Sequence, residues 1–146
     1  MNFNFSSTVE RFHPRLRDDL KEISEAARWL DSDIKHRGVL VCARMAPTGR
    51  DPDSFSGMAW PNESSIVMYG PRPGLWQHPR GRIDLRLAHC MSWEDKVRLF
   101  AHELRHLGQF HQGWRNGGDS ICLPYSPKTA EADAYAFENL VLETLR

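Results

Sequence analysis

The sequence predicts an α+β fold, and two kinds of hydrophobic pattern carry that prediction. Apolar residues recur at gaps of three and four in one segment near the start and in two later segments, which is typical of amphipathic helices. Between the first and second of these segments lie three short apolar or alternating runs, which are typical of strands. With 146 residues, the chain has the length of a single domain, residues 1–146, and can bury a core without disulfides.

The first predicted helix covers residues 15–36. Its apolar positions lie on one face at helical spacing: Leu16, Leu20, Ile23, Ala27, Leu30 and Ile34. Gly38 follows as a helix stop signal. We therefore expect an N-terminal helix that packs one side against the rest of the domain.

A small sheet of about three strands is predicted next. Residues 39–43 form a short apolar run, and residues 65–69 form a second run that ends at a Gly- and Pro-rich cluster. Residues 83–87 alternate between apolar and charged side chains, as expected for a half-buried strand. The intervening residues 47–57 are rich in Pro, Asp, Ser and Gly and are predicted to form a loop.

Two further helices are predicted after the strands. Ser92 and Asp95 resemble a capping box, so a helix is expected over residues 93–109. Ser126 and Pro127 suit the N-cap and first position of a last helix, which continues to the C-terminus. The segment between these helices is rich in Gly, Asn and Asp and is predicted to be a loop.

The helix over residues 93–109 carries an HExxH motif at His102, Glu103 and His106. A helix turns about 100° per residue, so the two histidines point about 40° apart on one face. Two imidazoles at this spacing can bind one tetrahedral Zn²⁺, and Glu103 lies beside them, where it can accept a proton from water. Both histidines flank an apolar stripe that is predicted to face the core: Trp93, Val97, Phe100, Leu104 and Leu107.

A third metal ligand has to come from another part of the chain, and three residues are candidates. Glu131 is preferred, because small alanines around it in the last helix allow two helices to approach closely. Asp133 lies on the other flank of the same apolar stripe, where it could bind the metal or orient a ligand histidine. His111 points about 180° from His102 in a continuous helix, so it could bind only if the helix broke near Gly108.

From residue 83 to residue 137 the chain resembles the minimal zincin metallopeptidases. In both, a strand precedes the HExxH helix, and a second helix carries an acidic residue, here within Glu-Ala-Asp-Ala-Tyr-Ala-Phe. The thermolysin-like, membrane CAAX-protease-like and ImmA/IrrE-like families of glutamate zincins share this plan. The resemblance implies that His102, His106 and Glu131 bind the metal and that Glu103 is the catalytic base.

The chain departs from the zincin pattern around the third ligand. In several of these families the ligand glutamate lies four residues before an Asp or Asn, whereas here Thr129 occupies that place relative to Asp133. SprT-like proteins share the strand and the HExxH helix but use a third histidine, which would favour His111. This departure therefore affects the identity of the third ligand more than the assignment to the zincin class.

The function predicted from these residues is zinc-dependent hydrolysis of a peptide bond in a protein or peptide substrate. Glu103 would take a proton from the attacking water and pass it to the leaving amine. Tyr125, Tyr135 or His111 could stabilise the developing oxyanion, and the sequence does not choose among them. The strand at residues 83–87 is the expected sheet edge for binding substrate by strand addition.

Two functions other than catalysis compete with this prediction. One is a zinc-binding module that acts by binding a partner, although the intact Glu103 weighs against it. The other is nucleic-acid binding through a basic segment with aromatic residues: Arg72, Arg80, Arg82, Arg86, Trp76 and His78. Because 19 basic residues balance 19 acidic ones, the overall charge gives no support to this second function or to binding an anionic membrane.

The remaining sequence features favour a cytoplasmic protein. The chain has no apolar run of about 18 residues that could span a membrane, and its first residues do not resemble a secretory signal. Cys42, Cys90 and Cys122 are widely spaced and form no CxxC pair, so we expect buried, reduced thiols.

Overall fold

The computed structural model of the chain describes residues 1–34, 38–46, 56–60, 63–67, 74–78, 81–111 and 127–146. Within these residues, four helices accompany a mixed four-stranded sheet and a separate two-stranded sheet, so the α+β class is confirmed. The predicted loop at residues 112–125 lies outside the described residues.

Along the described chain, one strand is followed by two helices, then by five strands and by two further helices. The helices are α1 (Ser7–Phe12), α2 (Leu16–Leu30), α3 (Trp93–His111) and α4 (Pro127–Leu145). The strands are β1 (Asn2–Phe5), β2 (Val39–Met45), β3 (Ser56–Trp60), β4 (Glu63–Val67), β5 (Gly74–His78) and β6 (Gly81–Leu87).

The larger sheet has the strand order β1-β2-β6-β3. β1, β2 and β6 run parallel, whereas β3 pairs with β6 in the antiparallel direction. Leu85 of β6 therefore lies between Ala43 of β2 and Gly57 of β3. The prediction that residues 83–87 form a sheet edge is wrong, because β6 is paired on both sides. In the described part of the chain, the edge strand next to β6 is β3.

Several strands differ from the sequence predictions. The sheet has four strands rather than about three, and β4 and β5 form a second, antiparallel sheet. The strand expected at residues 65–69 begins and ends earlier, at Glu63–Val67. Ser56 and Gly57 were predicted to lie in a loop but belong to β3, where pairing with β6 satisfies the backbone of a segment with weak strand propensity.

The N-terminal region contains two helices where the sequence predicts one helix over residues 15–36. α1 begins after Ser6, whose hydroxyl accepts a hydrogen bond from the Val9 N–H at 3.2 Å. α2 ends at Leu30, and the side chain of Asp31 then accepts a hydrogen bond from the Asp33 N–H at 3.0 Å. This local bond turns the chain out of the helix before the expected glycine stop.

The hydrophobic core lies between one face of the larger sheet and the helices. In β6, Ile83, Leu85 and Leu87 are buried and alternate with half-buried polar residues. The predicted stripe on α3 is buried at Val97, Phe100, Leu104 and Leu107. Trp93, in contrast, is 36% exposed, because it lies in the first turn of α3, at the margin of the packed region.

The start of α3 confirms the predicted capping box. The hydroxyl of Ser92 accepts a hydrogen bond from the Asp95 N–H at 3.0 Å, and the Asp95 carboxylate accepts one from the Ser92 N–H at 3.3 Å. Two otherwise unpaired backbone groups are thereby satisfied. This cap fixes where the helix begins and hence the rotation of its HExxH residues.

Two other expectations concern the cysteines and the membrane. Cys42 is half-buried and Cys90 is exposed, so the prediction of buried thiols is wrong for Cys90, and Cys122 lies outside the described residues. Among the described helices, none has the length and apolar character needed to cross a bilayer.

Candidate metal centre

Three side chains from two helices converge on one point. His102 and His106 lie one turn apart on α3, and Glu131 lies in the first turns of α4. The two Nε2 atoms are 3.1 Å apart. The Glu131 carboxylate lies 3.1 Å from Nε2 of His102 and 2.7 Å from Nε2 of His106. Within the described residues, these are the three side chains whose potential ligand atoms could share one metal ion.

The distances among these atoms fit a single small cation. Ligands bound tetrahedrally to zinc at about 2.0–2.1 Å are separated from one another by about 3.3 Å. The observed separations of 2.7–3.1 Å are slightly shorter than this value. Small outward movements of His102, His106 and Glu131 would therefore admit the ion without a change in backbone.

Gln109 fixes the tautomer of His106. Its amide nitrogen donates to the carbonyl of Ala130 at 2.9 Å and to the carboxylate of Asp133 at 2.8 Å. The amide oxygen therefore faces Nδ1 of His106, at 2.9 Å. Because that oxygen can only accept, Nδ1 carries the hydrogen, and the lone pair of Nε2 in the neutral ring points towards Glu131.

Glu138 has the same effect on His102. The Glu138 carboxylate lies 3.0 Å from Nδ1 of His102, and both side chains are buried. Burial disfavours the charged imidazole, but the hydrogen bond to Glu138 and the negative charges of Glu103 and Glu131 outweigh it and raise the pKa of His102. With Nδ1 donating to Glu138, Nε2 of the neutral ring turns its lone pair to the same point as His106.

Three hydrogen-bond acceptors therefore meet with no donor between them. Two imidazole lone pairs and a carboxylate repel one another unless a cation, either a proton or a metal ion, lies among them. This donor set, two imidazoles and one carboxylate, is one that zinc accepts readily. The residues of the site thus fit a zinc ion by chemistry as well as by distance.

Glu103 lies beside this cluster and is 5% exposed. Burial, the largest cause, acts together with the charges of Glu131 and Glu138 against the opposing effect of His102, and the net result raises the pKa of Glu103 from 4.5 to about 7. The backbone of β3 passes close by, since a Cβ atom placed on Gly57 would lie 2.7 Å from Cγ of Glu103. A carboxyl group with this pKa can both accept and release a proton near neutral pH.

Arg105, inside the HExxH motif, ties three helices together. Its guanidinium bonds to Asp133 of α4 at 2.6 Å and to Asp31, just after α2, also at 2.6 Å. Burial opposes ionisation of Asp133, but hydrogen bonds from Arg105 and Gln109 prevail and lower its pKa. Asp133 is thus engaged by α3 residues and supports His106 through Gln109.

No family model, no curated protein and no solved structure matches this chain.

The other predicted site residues lie in different surroundings. α3 continues through Gly108, and Nδ1 of His111 lies 2.9 Å from the carbonyl of Asp33, away from the cluster. The ring of Tyr135 lies 4.8 Å from the ring of His102, and its side chain is 57% exposed. Tyr125 lies outside the described residues.

Sequence reasoning missed the residues that orient the two histidines. Glu138 is seven residues after Glu131 and therefore shares its helical face, which is a usable signal. Gln109 is three residues after His106, a spacing at which neighbours on a helix contact each other. Neither spacing identifies Glu138 or Gln109 as the partner of a histidine. Glu138 reaches His102 only through the packing of α4 against α3, and groups of α4 orient the Gln109 amide.

Proposed function

We propose that the protein is a zinc-dependent metallopeptidase with a minimal zincin fold. One observation carries this proposal: two imidazole lone pairs and the Glu131 carboxylate converge within 2.7–3.1 Å, beside the buried carboxyl of Glu103. A structural zinc site normally has four protein ligands. In the described residues only three such side chains meet, as expected for a site that leaves a position for water.

Each residue of the candidate site has a separate role in the proposed reaction. A zinc ion held by the three ligands would act as a Lewis acid, lowering the pKa of water and polarising a carbonyl group. Glu103 accepts the proton of the attacking water and delivers it to the leaving amine. In the metal-free chain its pKa is about 7, so its carboxyl group can exchange a proton near neutral pH. Glu138 and Gln109 hold His102 and His106 in the tautomers whose Nε2 lone pairs would bind the ion.

β3 is the strand best placed to bind a peptide substrate. In the described part of the chain, β6 pairs with one side of β3, and no strand pairs with the other. Gly57 of β3 is in contact distance of Glu103. An extended peptide added to this edge would therefore pass the catalytic base. This assignment replaces β6, which is paired on both sides.

Tyr135 is the candidate we assign to the oxyanion. Its ring lies against that of His102, and its side chain is exposed to solvent. His111 is bonded to the backbone at Asp33 instead. A phenol near the reacting carbonyl can donate a hydrogen bond to the charge that develops there.

The test combines metal analysis with peptide digestion. Protein purified without chelator should contain about one zinc per chain. A proteome-derived peptide library is then digested with the parent protein, with Glu103→Gln and with the control Glu143→Gln, which changes an exposed glutamate of α4. Glu103→Gln should retain zinc and folding but lose at least about 10²–10⁴-fold in cleavage rate.

Two outcomes would contradict the proposal. Equal cleavage by the parent and Glu103→Gln would remove Glu103 from the mechanism. A zinc-loaded parent that cleaves no peptide of the library would favour the non-catalytic zinc-binding module. Loss of cleavage in Glu143→Gln as well would show that the assay reports general damage.

A further inference from the structure

A second site lies on the face of the larger sheet that is turned away from the core, which we call the outer face. Its side chains alternate with the buried ones and include Cys42, Arg44, Ser56, Met58, Arg82, Asp84 and Arg86. A pocket of about 270 Å³ opens here. Arg44, Arg86, Ser56 and Asp84 supply its polar lining, and Met58 supplies an apolar wall.

Strand register places two positive charges side by side in this pocket. Arg44 of β2 is directly opposite Arg86 of β6, and Ser56 of β3 is opposite Arg86 on its other side. Like charges at directly opposed positions destabilise a sheet. A guanidinium cannot relieve this repulsion by losing its proton. The row Arg44-Arg86-Ser56 therefore presents hydrogen-bond donors and excess positive charge.

No carboxylate of the described residues neutralises this pair. Asp84 is the acidic residue of the pocket. Its carboxylate accepts two hydrogen bonds from the Arg82 guanidinium, from Nε at 2.8 Å and from Nη2 at 3.0 Å. Within the part of the chain that the structure describes, neither Arg44 nor Arg86 has an ion pair or a side-chain hydrogen bond. Met58 is 55% exposed, so the pocket mouth is accessible.

We propose that this pocket binds an oxyanion, a carboxylate or a phosphate group, between Arg44 and Arg86. Planar guanidinium groups bind such groups through paired N–H donors, and the exposed hydroxyl of Ser56 can donate a further hydrogen bond. Two sources share this chemistry: an acidic side chain of a bound peptide, and a free phosphate-bearing molecule. Met58 would contact the carbon part of either ligand.

The pocket is separate from the candidate metal centre. Gly57 contributes backbone to the pocket and, on the core side of β3, approaches Glu103. Anion binding therefore involves none of His102, His106 and Glu131. It can be measured whether or not the protein hydrolyses peptides.

The test uses inorganic phosphate and a pair of short peptides that differ only by a central Glu or Gln. Each is titrated calorimetrically into the full-length protein at constant ionic strength. We expect saturable binding of phosphate or of the Glu peptide, and at least tenfold weaker binding to Arg86→Gln. Arg28→Gln, which removes an exposed arginine of α2, is the matched control and should bind like the parent.

Thermal unfolding shows whether the variant remains folded. Without ligand, Arg86→Gln should unfold at the same temperature as the parent or higher, because it removes a repulsive pair. The anion should raise the midpoint of the parent and leave that of Arg86→Gln unchanged. Binding of phosphate alone would identify a small phosphate ligand, and preference for the Glu peptide over the Gln peptide would identify an acidic peptide. Saturable binding of neither probe, or an equal loss in Arg28→Gln, would overturn the proposal.

Discussion

Between α3 and α4, the side chains of His102, His106 and Glu131 turn only acceptors towards one another, whereas Arg44 and Arg86 on the outer face present only donors. The first cluster contains two buried histidines, and Glu138 and Gln109 satisfy their outward nitrogens. The second cluster is open to solvent, and Asp84, its nearby acid, is already bound by Arg82.

The difference shows what burial requires of a binding site. Unpaired polar groups are costly in a buried site, and each histidine of the candidate metal centre is hydrogen-bonded to a neighbour that orients it. On the outer face, water screens the charges of the two arginines. Leaving them without an acidic partner therefore costs far less free energy. We therefore expect large effects from changes at the metal centre and small ones from changes at the arginine pair.

The largest effect should come from removing the proposed third ligand. Glu131→Ala should weaken zinc binding by more than about 100-fold, which exceeds the loss typical of residues that only orient ligands. His111→Ala should change zinc affinity little, because His111 is bonded to the backbone at Asp33. Competition with a chromophoric chelator measures both affinities. The reverse ranking would remove Glu131 from the site.

Glu103 should control the stability of the metal-free protein as a function of pH. Its pKa is about 7 in the folded chain against 4.5 for an ordinary glutamate, so the folded state retains a proton that the unfolded state releases. The contribution of Glu103 to the free energy of unfolding of the parent therefore falls as pH rises from about 4.5 to about 7. Glu103→Gln cannot ionise and escapes this loss.

Above about pH 7 this variant should exceed the parent in free energy of unfolding by about 3 kcal/mol, with no difference below about pH 4. Urea unfolding in the presence of EDTA, repeated across this pH range, provides the measurement. Glu143→Gln, an exposed control, should show no such trend. If the difference in free energy of unfolding between Glu103→Gln and the parent stayed constant with pH, Glu103 would ionise like an ordinary glutamate.

Removing the partner of His102 should have an intermediate effect. Glu138→Ala leaves Nδ1 of His102 without its acceptor, so zinc affinity should fall by about 10–100-fold. Glu138→Gln keeps an acceptor oxygen and should recover much of the lost affinity. Zinc competition at neutral pH distinguishes the two variants, and identical losses would show that the carboxylate charge, rather than the hydrogen bond, is what matters.

The smallest effect is expected on the outer face. Arg44→Gln relieves the repulsion from Arg86 and should raise the free energy of unfolding by about 0.2–1 kcal/mol, the usual size of a cross-strand pair. The gain should shrink as salt is added, because screening already weakens the repulsion in the parent. Denaturant unfolding at low and high salt measures both. A loss of stability would mean that Arg44 makes a favourable contact.

Local periodicity accounts for the parts of the molecule that the sequence predicted. The 100° turn of a helix places His102 and His106 on one face whatever their surroundings, and the apolar stripe beside them fixes the core side of α3. β2 and β6 were predicted from their short apolar or alternating runs, because successive side chains of a strand point to opposite faces of a sheet. Glu131 was preferred over Asp133 on the strength of its small neighbours and a family resemblance, and the structure brings Glu131 to the histidines.

The parts that sequence reasoning missed depend on contacts between distant segments. Nothing within β3 predicts a strand, because Ser56 and Gly57 resemble a loop until β6 supplies their hydrogen-bond partners. The bond between Glu138 and His102 depends on how α4 is rotated and shifted along α3. The facing arginines require the register between β2 and β6, which lie far apart in the sequence.

Gly57 has a practical consequence for the study of this site. Its missing side chain leaves the space that Cγ of Glu103 occupies. Adding a single methyl group there would displace the Glu103 side chain by its volume, while every charged and titratable group of the chain is kept. Position 57 therefore offers a way to move the Glu103 carboxyl group without removing it, which substitution of Glu103 itself cannot do.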